Sequence, residues 1–523
     1  MLEQAVIQLQ SYVLDGWSDG QAPFRDLVNP ATDEVVAQAS SNGLDMAEVM
    51  AHARSVGGPT LRAMSFEERG AMLRTWSKAL YAAREALLDV TMVNAGSTRG
   101  DAKFDVDGAT GTLSYYAGLG KKLGDRKWLV DGESEQLTRN SARFYGMHIR
   151  VPIQGAAVHI GAFNFPAWGT FAKAAVSILS GVPVVTKPAS STAWITHEMV
   201  KVLTEQDLIP AGVFQLICGS PGNLLDHLGP QDALAFTGSA DTGAKLRAGQ
   251  GPVQASTAVN IEADSLNAMV LGPDLEHGSD LYHWVKNSIV LEMTQKAGQK
   301  CTAIRRVVVT ESLVGALTAD LSEELGRIRI GDPRAEGVRM GPLNNRAQQQ
   351  DYREGVALLA TEGTIVYGDP ARSEFEGVKP GQGAFASPIL LRCDAPLQAE
   401  AVHSREVFGP VVTLCVYDGS VAQAAAIVAK GQGMLASTVA SSDRKFGGEL
   451  VFELAPYNGR VMLIDKKVCD QATPHGMVLP NLNHGGPGRA GGGAELGGLR
   501  GMEFYMRRVA IQGNRGLLEK LFA

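Results

Sequence analysis

Between residues 155 and 248 the chain alternates short apolar runs with amphipathic ones, and this alternation limits the possible folds more than any other feature. The apolar runs cover 156–160, 182–186, 214–218 and 233–236, each the length of a strand. Helical patterns lie between them, near 168–180, 192–205, 221–228 and 240–248. Such an order predicts an α/β fold with a parallel, doubly wound sheet. Sheets of that kind bind ligands beyond the carboxyl ends of their strands. Two of these ends carry suitable residues: Thr186-Lys187-Pro188-Ala189-Ser190, and Phe236-Thr237-Gly238-Ser239 with Gly243 further on. Backbone N–H groups at a helix start, with a lysine nearby, favour a phosphate. The G-x-G-x-x-G fingerprint is missing. By itself, Gly238 to Gly243 reads equally well as an ordinary helix-start turn.

The remaining segments give more elements. Residues 24–37 read as a loop and hairpin around Asn29-Pro30-Ala31-Thr32-Asp33-Glu34. Ser65 and Glu68 form a capping box, and Leu73, Trp76, Leu80, Ala83 and Leu87 follow at helical spacing. Helical pattern resumes near 107–118. From 127 to 151 the residues alternate as in a strand, predicting a protruding hairpin that pairs with another subunit or, equally, an internal one. A second α/β region spans about 264 to 480. The glycine-rich stretch 483–498 reads as an extended loop, followed by a closing strand over 504–511 that is able to pair with the 127–151 hairpin.

A chain of 523 residues exceeds one core, so two or three domains are expected. The formal charge of -7 offers no broad cationic field for nucleic acid or an anionic membrane. No apolar run approaches membrane-spanning length, and Met1-Leu2-Glu3-Gln4 does not open a signal peptide. Five scattered cysteines fit a reducing compartment, and the cytoplasm is the expected location.

Chemistry is concentrated in three stretches. Cys301 follows a glycine-bearing turn, Gly298-Gln299, and precedes the β-rich run 305–310, so its thiol is held on rigid structure yet reachable. Taken alone, a cysteine is as readily a small buried hydrophobe. Glu262 ends an apolar run, Ala-Val-Asn-Ile, where a carboxylate is costly unless it is paired or functional. Asn164 lies between Phe163 and Phe165, and either caps a turn or offers its amide to an oxyanion. Cys218, Cys393 and Cys415 read as strand residues, leaving Cys469 as the rival nucleophile. No cysteine pair has zinc-site spacing, and the ten histidines are dispersed and read as surface or core.

With Asn29-Pro30-Ala31-Thr32, Phe163-Asn164-Phe165-Pro166, Lys187-Pro188, Phe236-Thr237-Gly238-Ser239, Gly298-Gln299-x-Cys301 and Glu406-x-Phe408-Gly409-Pro410 in this order, the chain resembles the aldehyde dehydrogenase superfamily over nearly its whole length. The resemblance implies a Rossmann-type cofactor domain (1–126 and 151–263), an α/β catalytic domain (264–482) and a small β oligomerisation element (127–150 and 499–523). It implies that Cys301 attacks the aldehyde, that Asn164 and the Cys301 N–H hold the oxyanion, and that Glu262 activates water. Lys187 would reach the adenosine ribose, and Glu406 and Phe408 the nicotinamide ribose and ring. Gly238 and Ser239 would let the pyrophosphate approach the helix. A homodimer or homotetramer is expected.

The departures also carry information. Many NAD-preferring relatives have a glutamate where this chain has Ser190. Its loss removes repulsion of a 2′-phosphate, so NADP is expected, with NAD tolerated. Phe163 replaces a common tryptophan. Glu262 is followed by Ala-Asp-Ser in place of Leu-Gly-Gly. The tail from His484 to Gly493 looks like that of dehydrogenases acting in aerobic benzoyl-CoA and phenylacetate breakdown, which implies a CoA-linked semialdehyde such as 3,4-dehydroadipyl-CoA semialdehyde. In that alignment Glu495 is a second carboxylate relaying to Glu262. The length favours a form without a fused hydratase domain. The alternatives are a general aldehyde dehydrogenase, an acylating one, against which Glu262 speaks, and a non-enzymatic binding protein on the same scaffold.

Overall fold

The computed structural model of the protein describes residues 6–522. The predicted doubly wound sheet is present. Its strands run in the order Ala258–Glu262, Ala233–Thr237, Ala157–Ile160, Val184–Lys187, Phe214–Leu216, Ser11–Val13 and Gly16–Ser18. The first five are parallel, and the pair from the N-terminus closes the edge in antiparallel fashion. The chain moves outward from Ala157–Ile160 in one direction, then returns to lay Ala233–Thr237 on its other side. The topological switch point therefore lies between these two strands, where such sheets open a crevice. Register brings Ile160 level with Lys187 and Phe236, and Thr237 level with Glu262.

Helix Pro166–Ser180 packs on this sheet and is buried on nearly every side, as expected of a helix that is apolar all round. It shares a core with Leu73, Trp76, Leu80, Leu87 and Tyr116. The Ser65–Glu68 capping box forms. The helical pattern after it divides at Ala83 into Phe66–Ala82 and Arg84–Asn94. The helix expected near 107–118 runs from Arg99 to Leu123, because Thr98 caps it earlier. Of the pattern at 221–228 only a short 3-10 turn, Leu224–His227, remains. Pro221 and Gly222 at its start and Gly229 after it leave no room for more.

A second sheet has the order Thr364–Tyr367, Ile389–Cys393, Val411–Tyr417, Arg306–Thr310, Ala268–Leu271, Met434–Ala440 and Asn458–Ile464. It is parallel except at its first pair. Strand Ser141–Pro152 pairs with Glu135–Thr138, with Leu129–Val130 and along its length with Met506–Asn514, so the closing strand does join the hairpin. Among the described residues, no helix is long and apolar enough to cross a membrane.

The glycine-rich tail is the main correction to the fold. It is a hairpin, not an extended loop: Asn483–Gly486 pairs with Gly493–Leu496. The hairpin lies flat against strand Ala258–Glu262. The Ala263 N–H donates to Ala490 O, and Asn260 accepts from the Ala494 N–H and donates to Glu495. At Gly491 and Gly493 a Cβ would come within 2.3 and 2.4 Å of Ile261 O. Here glycine is the condition for close backbone approach, not a sign of disorder.

Candidate active site

Cys301 is placed by a strained turn. Lys296 and Ala297 hold φ of 53° and 51°, and Gly298 follows at 71°. Left-handed backbone at two non-glycine residues persists only where the surroundings enforce it. Arg305 supplies much of that enforcement, donating to the carbonyls of Gly298, Lys300 and Gly409. Asn267 donates to the carbonyls of Cys301 and Ala303, and Thr302 to that of Gly476. Lys300, fully buried, is matched by Glu292 at 2.8 Å. A Cβ at Gly298 would lie 2.4 Å from Gly409 O, so the Glu406–Pro410 loop closes directly onto the cysteine turn.

Two cavities meet at this thiol. The larger, of about 1510 Å³ with its open mouth, spreads over the switch point; Lys187, Ser190, Gly238, Ser239, Glu406 and Phe408 are on its walls. The smaller, of about 640 Å³, is a mainly apolar tunnel past Phe104, Phe165 and Trp168. Asn164, Glu262 and Cys301 line both. Among the described residues, no protein group takes the Asn164 side-chain amide or the Cys301 backbone N–H as a partner. Two donors are thus free beside the sulfur.

Within the larger cavity Lys187 Nζ lies 3.4 Å from Ser190 Oγ. Burial, and then Arg25, bring the lysine down to about 8. Phe163 and Phe408 meet edge to face at 5.8 Å. Arg305 lies over the Phe408 ring at 5.4 Å and pairs with Glu406 at 3.1 Å. Burial, and then Asp264, lift Glu406 to about 7 in spite of that arginine. Gly243 does not line either cavity; a Cβ there would press on Ile261 at 2.9 Å, so it serves helix packing.

Glu262 sits at 3.1 Å from His484 Nε2 through Oε2, while its Oε1 has no partner. Burial alone would raise this carboxyl. The facing His484 and then Lys173 outweigh it and hold Glu262 down to about 2. Cys301 moves the other way: burial, and then the Glu262 charge, push its thiol well above the usual range. The reachable thiol expected from the sequence thus lies where burial and a facing carboxylate both disfavour its thiolate. Lys173 Nζ bridges Thr237 Oγ1 at 2.7 Å and Glu495 Oε2 at 3.0 Å, and its nearest carboxylates raise its pKa against burial. Glu495 thus meets Glu262 through Lys173 and not directly.

The aldehyde dehydrogenase family model matches residues 17–510. The chain belongs to the aldehyde dehydrogenase family. It is 43% identical to 3,4-dehydroadipyl-CoA semialdehyde dehydrogenase of Aromatoleum evansii over 481 residues, 92% of this chain and 93% of that protein. Its fold superposes on an NAD-dependent aldehyde dehydrogenase from Sinorhizobium meliloti with a TM-score of 0.84 at 21% identity, covering 98% and 96% of the two chains. For betaine aldehyde dehydrogenase from Staphylococcus aureus in complex with NAD+ the TM-score is 0.83 at 23% identity, covering 97% and 95%.

This aldehyde dehydrogenase contains site residues that sequence reasoning missed. His484 read as one of ten dispersed histidines, yet its imidazole lines the smaller cavity beside Cys301, 4.0 Å from Cys301 Sγ. Only the register of the tail hairpin, which pairs His484 with Glu495, reveals it. Lys173 lay unnoticed inside an apolar helix, where a lone lysine could have signalled a buried partner. Arg25 was passed over as part of a loop. Cys469, the rival nucleophile, is buried in an apolar cluster with Met269, Leu271 and Ile464.

Proposed function

We propose that this aldehyde dehydrogenase oxidises a CoA-linked semialdehyde of the 3,4-dehydroadipyl-CoA semialdehyde kind, uses NADP and releases the free carboxylate. The observation that carries this reading is the meeting of two cavities at Cys301, Glu262 and Asn164. One cavity has a mixed polar and apolar lining and is large enough for a dinucleotide, and the other, mainly apolar, suits an acyl chain. The named relative from Aromatoleum evansii supports the substrate class.

In this reading the Cys301 sulfur attacks the aldehyde carbon at the tunnel's inner end, and Asn164 with the Cys301 N–H stabilises the oxyanion. A nicotinamide cofactor held by Glu406 and Phe408 would supply a hydride acceptor, so that Cys301 would be left carrying the acyl group as a thioester. Glu262 then takes a proton from water, which attacks the thioester and frees the acid. Glu495 keeps Lys173 charged beside Glu262 and so acts through that lysine. Lys187, Ser190 and Arg25 surround the space for a ribose 2′-phosphate, with no carboxylate at position 190 to repel it. Gly238 and Ser239 open the helix start to a pyrophosphate, and Glu406 and Phe408 hold the nicotinamide ribose and ring.

On this reading 1–126 with 151–263 forms the cofactor domain, 264–482 the catalytic domain, and 127–150 with 499–523 the assembly element of a homo-oligomer in the cytoplasm. The test is the initial rate of nicotinamide reduction with NADP and with NAD, each offered a CoA-linked semialdehyde and a plain aliphatic aldehyde of similar length. A preference for NADP with the CoA-linked substrate is expected. Equal rates on the plain aldehyde would overturn the substrate assignment, and preference for NAD would overturn the role of Ser190.

A further inference from the structure

The thiol poses a difficulty that Glu262 alone does not solve. Burial and the facing carboxylate both hold the proton on Cys301, while the same carboxylate must later be free to activate water. The tail hairpin brings a third group into contact with both. His484 and Glu495 are directly opposed across its strands, so their side chains leave the same face of the ribbon. That face is applied to the catalytic pocket: Glu495 reaches Lys173, and His484 Nε2 stands 3.1 Å from Glu262 Oε2 and 4.0 Å from Cys301 Sγ.

A carboxylate oxygen and an unprotonated ring nitrogen repel at 3.1 Å, so a proton lies between them. One Nε2–H therefore has two acceptors, Glu262 oxygen and Cys301 sulfur. Glu262 still has Oε1 without a partner, a place for a second proton. The other charged groups facing this cluster are Lys173 on helix Pro166–Ser180, Glu495 on the opposing strand, Glu406 on the cysteine loop's far side and Arg460 on strand Asn458–Ile464.

We propose that His484 is a catalytic residue that activates the nucleophile by handing its Nε2–H from Glu262 to the Cys301 sulfur. The Sγ–H bond breaks, its proton forms an O–H bond at Glu262 Oε1, and the electron pair stays on sulfur as a thiolate stabilised by the imidazole N–H. The acid form of Glu262 then loses that proton to solvent, the one proton released per acylation, and regains the carboxylate needed for hydrolysis. This rests on Cys301 being the nucleophile. It goes beyond that reading by assigning the thiol's activation to the tail hairpin.

The test is the rate of iodoacetamide modification of Cys301 against pH, read by mass on the Cys301 peptide in the intact free enzyme. The variants are His484→Ala and His484→Gln, whose amide keeps an N–H donor. For His484→Ala the rising limb should move up by about one pH unit and the rate near neutrality fall about tenfold. His484→Gln should keep most of the wild-type rate. An unchanged pH profile in His484→Ala, or the same loss in both variants with melting curves like the wild type, would overturn the proposal. If modified Cys301 still turned over aldehyde, the nucleophile assignment would fail instead, and the two failures are read separately.

Discussion

His484 Nε2 lies 3.1 Å from Glu262 Oε2, and the second Glu262 oxygen is buried without a hydrogen-bond partner. On the proposed function, the base is thus fixed by one oxygen and has its other oxygen uncommitted. Glu262→Gln keeps the size and the contact with His484 but cannot take a proton from water. One equivalent of reduced cofactor per active site should still form, more slowly than in the wild type because the Cys301 proton has lost its acceptor, and steady-state turnover should fall by roughly 10²–10⁴-fold. A stopped-flow trace at the reduced nicotinamide absorbance checks this; a normal steady-state rate would exclude Glu262 as the deacylating base.

Cys301 and Cys469 separate cleanly by surroundings. The first faces both cavities, and the second is packed among apolar side chains. Cys301→Ala should reduce turnover to background in the same assay. Cys469→Ala should retain the wild-type rate and lose only roughly 1 kcal/mol of stability, the cost of a small cavity. The reverse pattern would move the chemistry to Cys469.

Much of this arrangement was legible in the sequence because it is local. The strand–helix alternation is a period-2 against period-3.6 pattern, and it located the doubly wound sheet and the ends carrying Lys187 and Gly238. The capping box at Ser65 is a three-residue signal and formed as read. His484 was not legible: no local pattern distinguishes it, and it reaches Glu262 only because glycines allow a hairpin to lie on a strand more than two hundred residues earlier. The same glycines misled the reading of the tail, since turn-formers and close-packing residues share one letter. Lys173 was hidden for the opposite reason, because its partners Thr237 and Glu495 come from two other elements.

Ser190 lies within reach of Lys187 in the cofactor cavity. A carboxylate placed there meets a 2′-phosphate as a like charge, costing roughly 1–4 kcal/mol at about 4 Å. Ser190→Glu should therefore lower kcat/KM with NADP by roughly five- to several-hundredfold and leave or improve the value with NAD. Arg25→Ala should weaken NADP but not NAD. Steady-state kinetics with both cofactors decide it, and parallel losses with the two would show that neither residue reads the phosphate.

Glu406 is held at about 7 by burial and then Asp264, against Arg305. Above that value it is a carboxylate able to accept from ribose hydroxyls; below it the group is neutral and accepts more weakly. Cofactor affinity should fall as pH drops through about 7, by about tenfold between one unit above and one unit below. Calorimetric titration of the free enzyme with NADP measures this. Glu406→Gln should bind weakly and without that dependence, whereas a wild-type curve flat across the range would remove Glu406 from the ribose site.

Lys173 is 6% exposed and stands between Thr237 and Glu495, with Glu262 close enough to feel its charge. Its ammonium offsets the Glu262 and Glu495 carboxylates, so removing it leaves Glu495 without its ion pair and Glu262 facing His484 alone. Breaking a buried pair from one side costs about 3–5 kcal/mol, whereas replacing both partners by apolar groups is often close to neutral. Lys173→Met should lower the melting temperature by several degrees, and Lys173→Met with Glu495→Met should recover most of that loss. Function should respond differently, because Glu262 loses a charge that holds its carboxyl down in either variant. Deacylation should then need a higher pH in both the single and the double variant, a shift visible in kcat against pH while stability is restored only in the double one. If the double variant recovered the wild-type pH profile as well, Lys173 would be a structural counter-ion to Glu495 and would have no hold on Glu262.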